Sequence, residues 1–145
     1  MSDGERARSG RPGSDRAVEL RITPRLENLA VIRLLVGAVG TFEDLDVDAV
    51  ADLRLAIDEL CTQLIQCAVP EATLVIVIDP YDDKLVVSAS AACERFDVLS
   101  PGSFSWHVLK SLTDEARPFH DDSGPAGAGS VFGVALTARR AGADR

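Results

Sequence analysis

What this sequence lacks narrows the field before any motif is read. No apolar run approaches the roughly 20 residues that a helix needs to cross a bilayer, and the opening Met1-Ser-Asp-Gly-Glu-Arg has no apolar signal-peptide core. A cytoplasmic protein without a membrane role is expected. Basic residues are few: 15 Lys and Arg against 23 Asp and Glu leave a net charge of −8, which repels phosphate backbones, and no local basic patch offsets it. Direct nucleic-acid binding is therefore not expected, and a basic protein is the better partner. Cysteine is scarce and odd in number, with Cys61, Cys67 and Cys93 forming no CxxC or zinc spacing. Buried reduced thiols are expected. On a shared helix Cys61 and Cys67 would lie about 9 Å apart along the axis, so redox sensing through that pair would need a rearrangement. No internal repeat is visible.

What is present is enough for one packed domain, since 46% of the 145 residues are apolar. Residues 1–17 hold Gly4, Gly10, Pro12 and Gly13 among charged side chains, which reads as a flexible tail, and 141–145 form a short C-terminal one. Between them, 18–140 form the domain. Val18, Leu20 and Ile22 alternate with Glu19 and Arg21 as in a half-buried strand. Thr23 and Pro24 are suited to open a helix running to about Val39. A second helix, capped by Asp46 or Asp48, carries Val50, Leu53, Ile57, Leu60 and Leu64 at helical spacing until Pro70. The β-branched run 73–78 and the stretch 85–88 flank Pro80-Tyr-Asp-Asp-Lys and read as a hairpin. Trp106–Ala116 is expected to be helical, 123–129 a mobile glycine-rich connection, and Phe132, Val134 and Leu136 a final strand. This order of strand, helix, helix, hairpin, helix, strand predicts an α+β sandwich.

Two features carry chemistry. The first helix is apolar on almost every face from Leu29 to Val39, more than one sheet can cover, and Arg33 is its only charge. A second protein surface is one cover; burial on both sides with Arg33 at the edge is the other. In the second helix, Glu59 and Gln63 stand four apart on one face. A carboxylate so placed can accept a hydroxyl proton while the amide helps hold Mg²⁺, although a solvated acidic face explains the same residues. The acidic run Glu43, Asp44, Asp46, Asp48 and Asp52 fits either steering toward basic surfaces or a helix start favoured by its dipole.

The segment Ile57-Asp-Glu-Leu-Cys-Thr-Gln resembles the N-box of the RsbW-type anti-sigma factors, members of the histidine-kinase-like ATPase superfamily, which reads Ser-Glu-Ala-Cys-Thr-Asn-Ala. The likeness extends over residues 18–140, including Phe96-Asp97 and the closing Gly129-Ser-Val. It implies the Bergerat two-layer α/β sandwich, with helices on one face of a mixed, mostly antiparallel sheet. It also implies a homodimer that sequesters a stress-response sigma factor from core RNA polymerase and releases it to an anti-anti-sigma factor. The alternative activity it implies is ATP-dependent serine phosphorylation of that anti-anti-sigma partner. By resemblance Glu59 is the general base and Gln63 the Mg²⁺ and nucleotide ligand. Gly102, Ser103, Ser105, Gly129 and Ser130 are further nucleotide contacts, and Arg33 is the partner contact. Ala91, Cys93 and Arg95 stand where the family's adenine-reading aspartate and two glycines belong, and Gly102-Ser-Phe-Ser-Trp replaces Gly-Leu-Gly-Leu. These departures predict weak or altered ATP and Mg²⁺ binding, since a lost buried acceptor costs about 1–3 kcal/mol. Trp106 and His107 are read as a core tryptophan and a surface histidine that could instead line the cleft.

Overall fold

The computed structural model describes residues 14–95, 97–121 and 130–141. Residues 1–13 of the tail expected over 1–17, residues 142–145 of that expected over 141–145, Phe96 and the glycine-rich connection with Gly129 lie outside them. The alternating segment pairs as β1 (Val18–Ile22), followed by a 3-10 turn (Leu26–Asn28) and helix α1 (Leu29–Phe42). Helix α1 begins five residues later than Pro24 because Arg25 stays extended (φ −126°, ψ 143°). Asn28 then reaches back to donate its side-chain amide to the Thr23 carbonyl at 2.8 Å. At its other end the chain turns through Asp44 (φ 60°). Leu45 N–H bonds Gly40 O at 3.0 Å and Asp44 N–H bonds Thr41 O at 3.1 Å, a Schellman stop that buries Leu45.

Helix α2 (Val47–Cys67) carries a buried stripe of Leu53, Ala56, Ile57, Leu60, Cys61, Leu64 and Cys67. Asp46 holds the N-cap position without a side-chain bond. Gly37 and Gly40 on α1 face Arg54 and Val50 of α2 closely enough that a Cβ would meet them at 3.3 and 3.1 Å, so the pair of glycines sets the helix spacing. The hairpin forms as expected, with β2 (Leu74–Pro80) and a longer β3 (Lys84–Cys93) joined through the Tyr81 N–H to Lys84 O bond of 2.8 Å.

Helix α3 spans only Phe104–Leu112, and the residues after it form β4 (Glu115–Asp121) before β5 (Ser130–Arg139). The expected helix over Trp106–Ala116 is thus corrected at its end: Thr113 turns extended (φ −134°, ψ 162°) and its hydroxyl donates to Leu109 O at 2.7 Å. Pro118 is tolerated because β4 is an edge strand, where a missing N–H breaks no ladder on its open side.

The sheet order is β1-β2-β3-β5-β4. Every described ladder is antiparallel, so the sheet is not mixed. Alternate residues, including Ile76, Ile78, Val87, Ala89, Val134 and Leu136, pack with the helices into the main core. The opposite face holds a small cluster of Val86, Phe119 and Ala135 with Tyr81. Here Gly133 is obligatory, since a Cβ would fall 2.5 Å from the Phe119 ring and 2.6 Å from Ala89 O. The result is an α+β two-layer sandwich with helices on one face. No helix among the described residues is long and apolar enough to cross a membrane.

Candidate functional site

Helix α2 lies between α1 and α3 and presents a different chemistry to each. On the α1 side, packing against the sheet buries Ile32 and Val36 and half-buries Leu29, Leu35 and Val39. Leu34 remains 71% exposed and Val31 46%. Arg33 sits between them and donates from Nε to Asp58 Oδ1 at 2.8 Å, with the guanidinium side chain still 43% exposed. A shallow groove lined by Arg33, Ala51, Arg54, Leu55 and Asp58 separates the two helices. Leu55 is 58% exposed there, an apolar side chain on the face of α2 turned away from its buried stripe. Both covers considered for α1 therefore apply to different residues: the fold encloses one side and leaves the other bare.

The C-terminal end of α1 is anchored by a buried charge. Glu43, 6% exposed, pairs with Arg140 at 2.7 Å and Arg16 at 3.2 Å. Arg140 also donates to the Glu43 and Tyr81 carbonyls, tying α1 to the hairpin turn. Such a network positions the bare helix face without contributing to it.

On the α3 side the polar groups satisfy one another. Ser105, 9% exposed in the first turn of α3, donates its hydroxyl to Glu59 Oε2 at 2.5 Å, and Gln63 Nε2 donates to the same oxygen at 3.2 Å. Ser103 accepts from Trp106 N–H at 3.1 Å as the N-cap of α3. Gly102 precedes it with φ +96°, a conformation side-chain-bearing residues rarely adopt. Leu55, Asp58, Glu59, Thr62, Val108 and Leu112 line a second groove, which shares Leu55 and Asp58 with the first. Trp106 packs on the core and His107 is exposed, as expected for a core tryptophan and a surface histidine.

The chain is 61% identical over 145 residues to an anti-sigma-F factor RsbW of Mycobacterium tuberculosis (strain H37Rv), covering 100% of this chain and 86% of that protein. A serine-protein kinase RsbW of Bacillus cereus (strain B4264) is 32% identical over 125 residues, 72% of this chain and 78% of that protein. The chain belongs to the RsbW family of anti-sigma factors. A second Bacillus cereus kinase of that name, from strain G9842, matches over the same span at 32% identity. No family model matches.

Within this RsbW-family chain, Glu59, Gln63 and Ser105 come together, and Gly102 and Ser103 sit at the entry to α3 beside them. Ser130 stands apart at the start of β5, paired with Cys93, and Arg33 lies across α2 from Glu59. For a purine nucleotide the fit of these side chains is poor. Ala91, where an adenine-reading carboxylate would stand, is 2% exposed and belongs to the core. Cys93 packs against Cys67, and Arg95 pairs with Asp97 at 3.5 Å. The hydroxyl oxygen of Ser103 is taken up by the helix cap and the Ser105 hydroxyl by Glu59. Two residues escaped sequence reasoning: Asp58, whose partner is 25 positions away and leaves no local trace, and Leu55, which was detectable as a leucine off the buried stripe.

Proposed function

We propose that this chain sequesters a stress-response sigma factor on the surface formed by α1 and the first half of α2, with Arg33 at its centre. The observation that carries this reading is the bare apolar strip of Val31, Leu34 and Leu55 around an arginine only half tied down by Asp58. Arginine framed by apolar side chains is a frequent interface hot spot, because the stem packs while the planar head forms fixed hydrogen bonds. Covering that strip with sigma determinants keeps them from core polymerase by mass action and needs no turnover. An anti-anti-sigma factor that competes for the same surface reverses the capture. The net charge of −8 favours encounter with basic partner segments. The working form is a cytoplasmic homodimer. Co-elution of the purified chain with a stress-response sigma factor on size exclusion tests the reading, with Arg33→Glu expected to weaken it. Absence of co-elution by the wild-type chain would sink it.

A second reading, serine phosphorylation of the anti-anti-sigma partner, draws on one specific feature. Glu59 already accepts a hydrogen bond from a serine hydroxyl, that of Ser105, as a base must from its substrate. In that reading Gln63 holds Mg²⁺, Gly102, Gly129 and Ser130 contact ATP, and Ser105 yields its place to the incoming serine. Label transfer from radioactive Mg-ATP to the partner, lost in Glu59→Gln, is the supporting result. No transfer at saturating Mg-ATP leaves sequestration as the whole activity.

A further inference from the structure

The three cysteines are free and buried, yet they are not equivalent. Cys61 lies in the middle of α2 at 0% exposure, where burial above all, and then the charge of Asp58, push its thiol far up. Cys67 closes the same helix and meets Cys93, the last residue of β3, with the two sulfurs 2.8 Å apart. That is inside ordinary van der Waals contact and about 0.8 Å longer than a disulfide bond. The backbone holds them there. Ala68 and Cys93 form an antiparallel bridge, with Val69 N–H on Ala92 O at 2.9 Å and Glu94 N–H on Cys67 O at 3.0 Å. The sequence had allowed redox chemistry only through a rearrangement of Cys61 and Cys67, whereas the fold brings a different pair together with none.

We propose that Cys67 and Cys93 form a reversible dithiol–disulfide site that takes small hydroperoxides as its oxidant. Cys67 is the attacking thiol. It is the more exposed of the two, at 7% against 2%, and it adjoins the exposed Glu94-Arg95 rim. The hydrogen-bonded contact with Cys93 chiefly, with lesser help from a backbone hydrogen bond and the Arg95 charge, holds the Cys67 thiol below the usual range against its burial, while the same contact and burial push Cys93 up. The Cys67 thiolate attacks the distal peroxide oxygen, breaking the O–O bond. This gives a sulfenic acid and releases the alcohol, or water from hydrogen peroxide. The Cys93 sulfur then displaces the sulfenic oxygen as water and closes the S–S bond. Two thiols lose two protons and two electrons, and one peroxide is reduced.

The bond would clamp the end of α2 to β3 in a functional neighbourhood. Glu59, Gln63 and Cys67 recur every fourth residue along one face of α2, and Cys93 pairs with Ser130 across the sheet. The inference does not depend on sigma binding.

The test is peroxide treatment of the reduced full chain, followed by intact mass and non-reducing tryptic mapping. The expected result is loss of two hydrogens, about 2 Da, with a peptide joining Leu55–Lys84 to Leu85–Arg95 that dithiothreitol separates. Because Cys61 and Cys67 share the first peptide, Cys61→Ser must keep the link while Cys67→Ser and Cys93→Ser lose it. Oxidation that stops at sulfinic acid, a link only between chains, or a link lost in Cys61→Ser would overturn the assignment. The wild-type map stands even where a variant fails to fold.

Discussion

The two sides of helix α2 are held in opposite states. Toward α1, the packing that fills the core leaves Leu34, Val31 and Leu55 in water, beside an arginine whose ion pair with Asp58 is only half-buried. Toward α3, Ser105, Gln63 and Glu59 form a closed set and Ser103 caps its own helix. Exposed apolar surface lowers its free energy only when something covers it, whereas satisfied polar groups gain little from a new ligand. In the proposed reading the first side therefore takes the macromolecular partner, and the second would have to open before it could serve one. On that reading a binding role can persist where the residues matched to the family's nucleotide boxes have changed: capture needs area and one well-placed cation, while phosphoryl transfer needs several groups at fixed positions.

The contrast can be broken or sharpened by substitution. The largest effect is expected from Arg140→Ala, which leaves the buried Glu43 carboxylate with only the exposed Arg16. Unfolding free energy by urea denaturation should fall by about 3 kcal/mol, and the α1 surface should lose its anchor. Next, Arg33→Glu should weaken the sigma complex by about 2 kcal/mol or more, some thirtyfold in Kd by titration calorimetry. Its thermal unfolding should barely move, because a partly exposed ion pair is worth under about 1 kcal/mol. Ser105→Ala removes the hydroxyl donor from Glu59 and should lower stability by about 1 kcal/mol while sigma affinity stays within about twofold. Smallest in stability is Leu34→Ser, expected within about 0.5 kcal/mol of wild type. It should still cost about tenfold in sigma affinity, roughly 1.4 kcal/mol. Equal effects of Leu34→Ser and Ser105→Ala on sigma binding would erase the distinction between the two sides.

Much of this was legible in the sequence for a local reason. The period of Leu53, Ile57, Leu60 and Leu64 fixes the buried stripe of α2, and the alternation in β1 and the β-branched run of β2 fix two strands. The four-residue spacing of Glu59 and Gln63 put them on one face before any coordinate. What stayed hidden is non-local or masked by composition. Strand β4 contains Pro118 and follows a helix directly, so only its edge position reveals why it is a strand. The Arg33–Asp58, Glu59–Ser105 and Cys67–Cys93 contacts join residues 25, 46 and 26 positions apart. No spacing rule encodes such pairs, because each depends on how α2 is set against a neighbour. The bare strip on α1 lay between these cases. Its excess of apolar residues was visible, but which of them the sheet would cover was not.

Amide hydrogen exchange of the chain, free and saturated with a stress-response sigma factor, bears most directly on the central claim. The expected result is protection concentrated in Leu29–Phe42 and the first half of Val47–Cys67, with Phe104–Leu112 exchanging as in the free chain. Protection confined to Phe104–Leu112, with α1 unchanged, would contradict it.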